Sequence, residues 1–260
     1  MTRQNQSKTN LLLQKAPRGE ILTTQWLRAQ GISIKLAWWY VHSGWLNHLA
    51  KGAYFLVGDK VDWKGVLSTL RNQSNLPVHI GGKTALQLLG KGHYVTADLS
   101  KQLQLFAPSS TKLPQWVHHS LFKETFCFHP HALFQDTNNE TLGVISRTYD
   151  NKEITVSTPE RAAIELCSLV PDEVTFQEAS LLIEQLGRAR PLLVQSLLES
   201  CQSFKAKRLF LYLSEYHHHA WLNDLNMDKV SLGQGKRVIA GGGQYYPKYK
   251  ISVPKLESTE

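Results

Sequence analysis

Between Thr23 and Val57 the chain carries two helix signals separated by a very short turn and followed at once by a hairpin signal, an order that leaves few folds open. Thr23 or Thr24 offers a hydroxyl cap for a helix through Gln30, and Gly31 suits the left-handed residue that ends it. Ser33 caps a further helix running to Ser43, stopped by Gly44. Trp45–Leu49 and Ala53–Val57 are β-forming runs on either side of a Lys51-Gly52 tip. A short helix over residues 9–16, ended by Pro17-Arg18-Gly19, precedes them. Helix, helix, tight turn, helix and hairpin in this order predict a winged helix-turn-helix.

The helix after Ser33 has a readable face. Ile34, Ala37, Trp38 and Val41 recur at i, i+3, i+4 and i+7, which predicts an apolar stripe turned to the core. Lys35, Trp39, His42 and Ser43 then project from the other side. A helix of this kind fits the major groove, where long polar side chains reach base edges and phosphates. Lys35 and His42 are suitable donors there, Ser33 lies at the same helix start, Arg28 is placed to hold a phosphate, and Lys51 sits at the hairpin tip. Trp39 either packs on sugar or a thymine methyl or completes the core.

Charge points the same way. The net charge is +8, and its distribution is uneven. Residues 1–93 contain twelve Lys or Arg but only Glu20, Asp59 and Asp62 as acids, whereas residues 94–260 hold seventeen bases and eighteen acids. That asymmetry is the footprint of a polyanion-binding part joined to a near-neutral one. It predicts a boundary near residue 95: a DNA-binding domain over 1–95, then a mixed α/β domain over 96–260, α+β overall.

The remainder of the chain gives further element signals. Helices are expected near Trp63–Gln73 and Thr84–Leu89, and strands at Leu76–Ile80, Tyr94–Ala97, Gln102–Ala107 and Ile154–Val156, the last forming a hairpin with Arg147–Tyr149. Thr158-Pro159-Glu160 opens a helix, Thr175–Glu178 has the form of a capping box, and Phe204–Tyr216 is helical. A Gly-rich loop and a strand near Tyr249–Val253 close the chain.

Several chemistries are disfavoured. No apolar run approaches the roughly 18–20 residues that cross a bilayer, and the polar N-terminus does not read as a signal peptide, so a soluble cytoplasmic protein is expected. Cys127, Cys167 and Cys201 are too scattered for a disulfide framework or a thiolate metal site. Gly81-Gly82-Lys83-Thr84 resembles the end of a phosphate-binding loop, but the earlier glycine that such a loop needs is replaced by Pro77, which has no N–H to give. His129-Pro130-His131 and His217-His218-His219 lack a second ligand pair, and the triplet is expected at an exposed helix end. The nearest acidic cluster, Asp150 to Glu153, reads as a hairpin turn. No catalytic residue, metal site or cofactor is expected, and the chain reads as a non-enzyme.

One resemblance covers nearly the whole chain. It rests on Gly44-Trp45-Leu46 to Lys51-Gly52-Ala53-Tyr54, and on Gly81-Gly82-Lys83-Thr84-Ala85-Leu86 running on to Gly90. Further on come Thr158-Pro159-Glu160-Arg161-Ala162 with Glu165-Leu166, Leu232-Gly233-Gln234-Gly235-Lys236-Arg237, and Lys248-Tyr249-Lys250-Ile251-Ser252-Val253-Pro254. In this order they resemble the AbiEi family of antitoxins and transcriptional regulators from bacterial abortive-infection toxin–antitoxin systems. The resemblance implies binding to repeats in promoter DNA, repression of the chain's own operon, and a C-terminal domain that counters a cognate nucleotidyltransferase-like toxin. It also implies an antitoxin surface that includes Arg161, Lys236, Arg237 and Lys248. Two rivals remain at this level: a winged-helix regulator of a viral-defence locus without antitoxin activity, and a nucleic-acid enzyme built on Asp150 or Glu153.

Overall fold

The computed structural model describes residues 3–90, 102–122, 125–135, 142–239 and 243–255, with side chains from Lys8 onward. The expected strand at Tyr94–Ala97 lies outside the described residues. The N-terminal elements are α1 (Arg3–Lys15), β1 (Leu22–Thr23), α2 (Thr24–Ala29), α3 (Ile34–His42), β2 (Leu46–Ala50) and β3 (Ala53–Leu56). Thr23 Oγ1 accepts from the Trp26 N–H at 3.1 Å, and Ser33 Oγ from the Leu36 N–H at 3.2 Å, so both caps form. Gly31 and Gly44 each take φ +74°, a left-handed exit that a side chain would strain. β2 and β3 pair antiparallel, and β1 joins the far side of β3. A small core of Leu12, Leu22, Leu27, Tyr40, Leu46 and Leu56 holds this unit together.

α3 is rotated relative to the expected stripe. Ala37 and Tyr40 are its buried residues, whereas Ile34 and Trp38 are each 42% exposed. Two apolar registers compete on so short a helix. The one that wins seats the fully buried Tyr40 ring, with its hydroxyl 3.4 Å from Thr9 Oγ1 of α1. Trp39 is thereby half-buried and packs against Tyr40 and the small core, and Trp38 takes the outward place.

Next come α4 (Trp63–Asn72), β4 (His79–Ile80), α5 (Gly82–Leu88), β5 (Leu103–Ala107), β6 (Phe126–Pro130), β7 (Val144–Tyr149) and β8 (Lys152–Ser157). Four helices follow: α6 (Pro159–Ser168), α7 (Phe176–Glu184), α8 (Pro191–Ser200) and α9 (Phe204–Tyr216). The last strands are β9 (Arg237–Val238), β10 (Gln244–Tyr246) and β11 (Ile251–Val253). Among the described residues, five strands form a mixed sheet in the order β6-β5-β4-β8-β7. β4 is its centre, antiparallel to β5 and parallel to β8. α6 packs on α5 and α9, and the three terminal strands pair in the order β10-β11-β9. The β7–β8 hairpin turns through Asp150 and Asn151, both at positive φ.

The break in charge near residue 95 is not a break in packing. β4 and α5 belong to the same sheet and core as β5, β8 and α6. α4 joins the two parts: it packs on β8, its Ser68 hydroxyl donates to Glu20, and Thr69 and Gln73 bond the backbone of Ile21 and Thr23. Ile21, Leu49 and Ala53 of the N-terminal unit are buried in the larger core. Surface charge and buried strand pairing are set by different residues, so their boundaries need not coincide. No helix among the described residues is long and apolar enough to cross a membrane.

Candidate nucleic-acid interface

The outward face of α2, α3 and the β2–β3 turn is assembled from residues that local signals position. Arg28, Ser33, Lys35, His42 and Lys51 are all exposed there. The Ser33 oxygen is engaged in its cap, and His42 Nδ1 lies 2.8 Å from the Trp38 carbonyl, which leaves Nε2 pointing away. The Thr24 N–H donates to the Gly52 carbonyl at 2.9 Å, tying the Lys51-Gly52 turn to the start of α2. Trp38 lies 4.8 Å, ring to ring, from His48 of β2, and His48 lies 5.3 Å from Tyr54 of β3. These contacts hold the face as one piece. Trp39, expected at the surface or the core, belongs mainly to the core.

Ion pairs sharpen the charge argument. Arg18 pairs with Asp59, Lys64 with Asp62 and Asp150, Arg71 with Glu153, and Lys83 with Glu178. Among the described residues, Arg28, Lys35 and Lys51 have no such partner, and residues 21–58 include no Asp or Glu at all. Two of the flanking acids are turned to structural work. Glu20 is buried against Ser68, where burial pushes its carboxyl up in pKa, and Asp62 caps α4. This face therefore carries three cations without a paired carboxylate and no acid of its own, which favours a polyanion.

A second cluster, built around Glu165, has a different character. Its carboxylate is wholly buried and accepts from Arg161 Nε at 2.8 Å, Ser157 Oγ at 2.8 Å and the Gly82 N–H at 3.1 Å, with His79 Nε2 at 2.9 Å. Burial alone would raise its pKa, but His79 and Arg161 overcome that and hold it at about 2. Arg161 is 8% exposed, lies 4.3 Å from the Phe134 ring and donates to the Leu142 carbonyl at 2.8 Å. Its expected place on an antitoxin surface is thus corrected: it is an internal cation committed to Glu165. The phosphate-loop likeness has the same physical answer. Glu165 and Gln104 Oε1, the latter 2.7 Å from the Lys83 nitrogen, already occupy the N–H groups a phosphate would need.

The other expected antitoxin residues do lie on one terminal unit. Lys236 and Arg237 are exposed, Lys236 4.7 Å from the Tyr245 ring. Lys248 is exposed, paired with Glu215 and 5.2 Å from the Tyr249 ring. Beneath them sits a residue that sequence reasoning missed. Arg208 of α9 is fully buried and donates to the carbonyls of Leu232, Gly233, Gln234, Gly235 and Lys250. The Gly-rich loop therefore turns its carbonyls inward around a guanidinium. The available signal was an arginine followed directly by Leu209-Phe210-Leu211. The histidine triplet is less exposed than expected. His217 Nε2 meets Ser180 Oγ and His219 Nε2 meets the Ile183 carbonyl, each at 2.8 Å, while His218 faces solvent.

An α+β protein with a helix–turn–helix and hairpin at its N-terminus, bearing a basic face without carboxylates, is built as a transcriptional regulator. Comparison with known families gives the particular kind. Residues 5–97 match the family described as "Transcriptional regulator, AbiEi antitoxin N-terminal domain". Residues 100–254 match "Transcriptional regulator, AbiEi antitoxin, Type IV TA system". The chain belongs to this AbiEi family of type IV toxin–antitoxin transcriptional regulators. Its fold is similar to the crystal structure of the RV2827C protein from Mycobacterium tuberculosis, with a TM-score of 0.61 at 15% identity over 96% of this chain and 92% of that one. No curated protein matches the chain.

Proposed function

We propose that the chain represses its own operon by binding repeats in double-stranded promoter DNA, and that it counters a cognate nucleotidyltransferase-like toxin. The observation that carries the DNA reading is the carboxylate-free stretch of residues 21–58 with Arg28, Lys35 and Lys51 unpaired on its outer face. α3 enters the major groove, with Ser33 and His42 at its two ends. Arg28 holds a phosphate, and Lys51 reaches the backbone or minor groove beside it. Trp39 supports the face from within. The antitoxin surface comprises Lys236, Arg237 and Lys248, carried by the loop and strands that Arg208 anchors.

Salt-dependent binding tests the first half. Lys35→Ala and Lys51→Ala are each expected to weaken promoter binding and to reduce the slope of log K against log salt by about 0.9, one phosphate contact apiece. Unchanged gel shifts for both variants would remove the groove assignment. Co-expression with the product of a neighbouring nucleotidyltransferase-like gene tests the second half. Growth is restored by the wild type and less well by a Lys236→Glu, Arg237→Glu double variant. Equal rescue would move the antitoxin surface elsewhere.

A further inference from the structure

α3 is poor in the side chains that usually read bases. Residues 34–42 include no Arg, Asn, Gln, Asp or Glu. The amide pair that identifies adenine and the carboxylate that accepts from cytosine therefore cannot come from this helix, and Lys35 is its one side chain suited to guanine. What it turns outward is Ile34, Lys35, Trp38 and His42, with Ile34 and Trp38 among the large exposed apolar side chains of the molecule. Trp38 is held in place by its contact with His48, so its ring presents a preset apolar surface.

Charge decides what covers this surface. An apolar protein partner would gain nothing from the unpaired Arg28, Lys35 and Lys51 beside it, whereas a polyanion would. Major-groove DNA offers both properties at once: phosphates on the rim and, on its floor, one apolar group, the C5-methyl of thymine. We propose that α3 reads thymine by its 5-methyl group, with Ile34 and Trp38 as the specificity-determining contacts; this rests on the DNA-binding reading above. Operators of this chain are then defined by thymine positions more than by guanine or adenine hydrogen bonds at the bases facing α3.

The test uses the full-length chain and duplexes that it enriches from a random-sequence pool. Each enriched duplex is resynthesised with deoxyuridine for thymidine, which removes the methyl and keeps every hydrogen-bonding group. Wild-type affinity is expected to fall about fourfold per contacted methyl, the change for exposing one CH2-sized apolar group. In Ile34→Ala and Trp38→Ala the ratio of thymidine to deoxyuridine affinity moves toward one. In Lys35→Ala both duplexes weaken together and the ratio stays. Ile34 is exposed, so Ile34→Ala carries the comparison even if Trp38→Ala disturbs the hairpin. Equal wild-type affinity for the two duplexes, or an undiminished ratio in Ile34→Ala, overturns thymine reading while leaving DNA binding in place. Failure to enrich any duplex at low salt overturns the DNA-binding reading itself.

Discussion

At the scale of single residues, two buried charges organise the C-terminal part, each solved differently. Arg208 has no carboxylate beside it among the described residues and is satisfied by five backbone carbonyls. Arg208→Met removes the donors and leaves those carbonyls facing an apolar side chain. The expected loss is about 2–4 kcal/mol, read by urea denaturation. Arg208→Lys is expected to recover little, because an ammonium has three donors where the guanidinium fork has five. Glu165 instead makes stability depend on pH. Its folded pKa is about 2 against an ordinary 4.5, so its stabilisation is complete above pH 4.5 and lost as pH falls through 2. Stability measured across that window should fall for the wild type and change less in Glu165→Gln. Parallel curves would show that Glu165 is not the responsible carboxylate. Neither hub was legible beforehand, because each is completed by distant segments: His79 is 86 residues from Glu165, and the nearest carbonyl that Arg208 meets is 24 residues away.

At the scale of elements, caps and turns were legible and helix rotation was not. Thr23, Ser33 and Thr175 cap their helices through bonds three residues long, so local sequence decides them. The register of α3 depends on which aromatic ring α1 and the hairpin accept, a choice between Trp38 and Tyr40 that nine residues cannot make alone. α4 shows how tertiary contact reverses a local preference. Replacing a mid-helix glycine by alanine ordinarily stabilises by about 0.5–1 kcal/mol. A Cβ on Gly65 would stand 1.9 Å from the Gly19 carbonyl oxygen, far inside contact distance. Gly65→Ala is therefore expected to lower the melting temperature, and an increase would mean that α4 does not press on the Gly19 turn.

At the scale of the whole molecule, charge and packing divide the chain at different points. A fragment of residues 94–260 lacks β4, the strand that joins β5–β6 to β8–β7, and loses α5 with it. It is expected to show no cooperative thermal transition. A fragment of residues 62–260 keeps the sheet and the Asp62 cap of α4, and should melt cooperatively below the full chain, because α4 loses Glu20 and Ile21. A cooperative transition in the shorter fragment would show that β4 is dispensable. Local order set much of this protein in advance: the caps, the hairpins, and a basic first third whose charge needs no neighbour to exist. Only the tertiary structure decided which of those cations stay unpaired, which face of α3 meets solvent, and that Arg161 and Arg208 are internal. Those outcomes depend on what a distant segment brings within a few ångströms, and periodicity along one segment does not encode that.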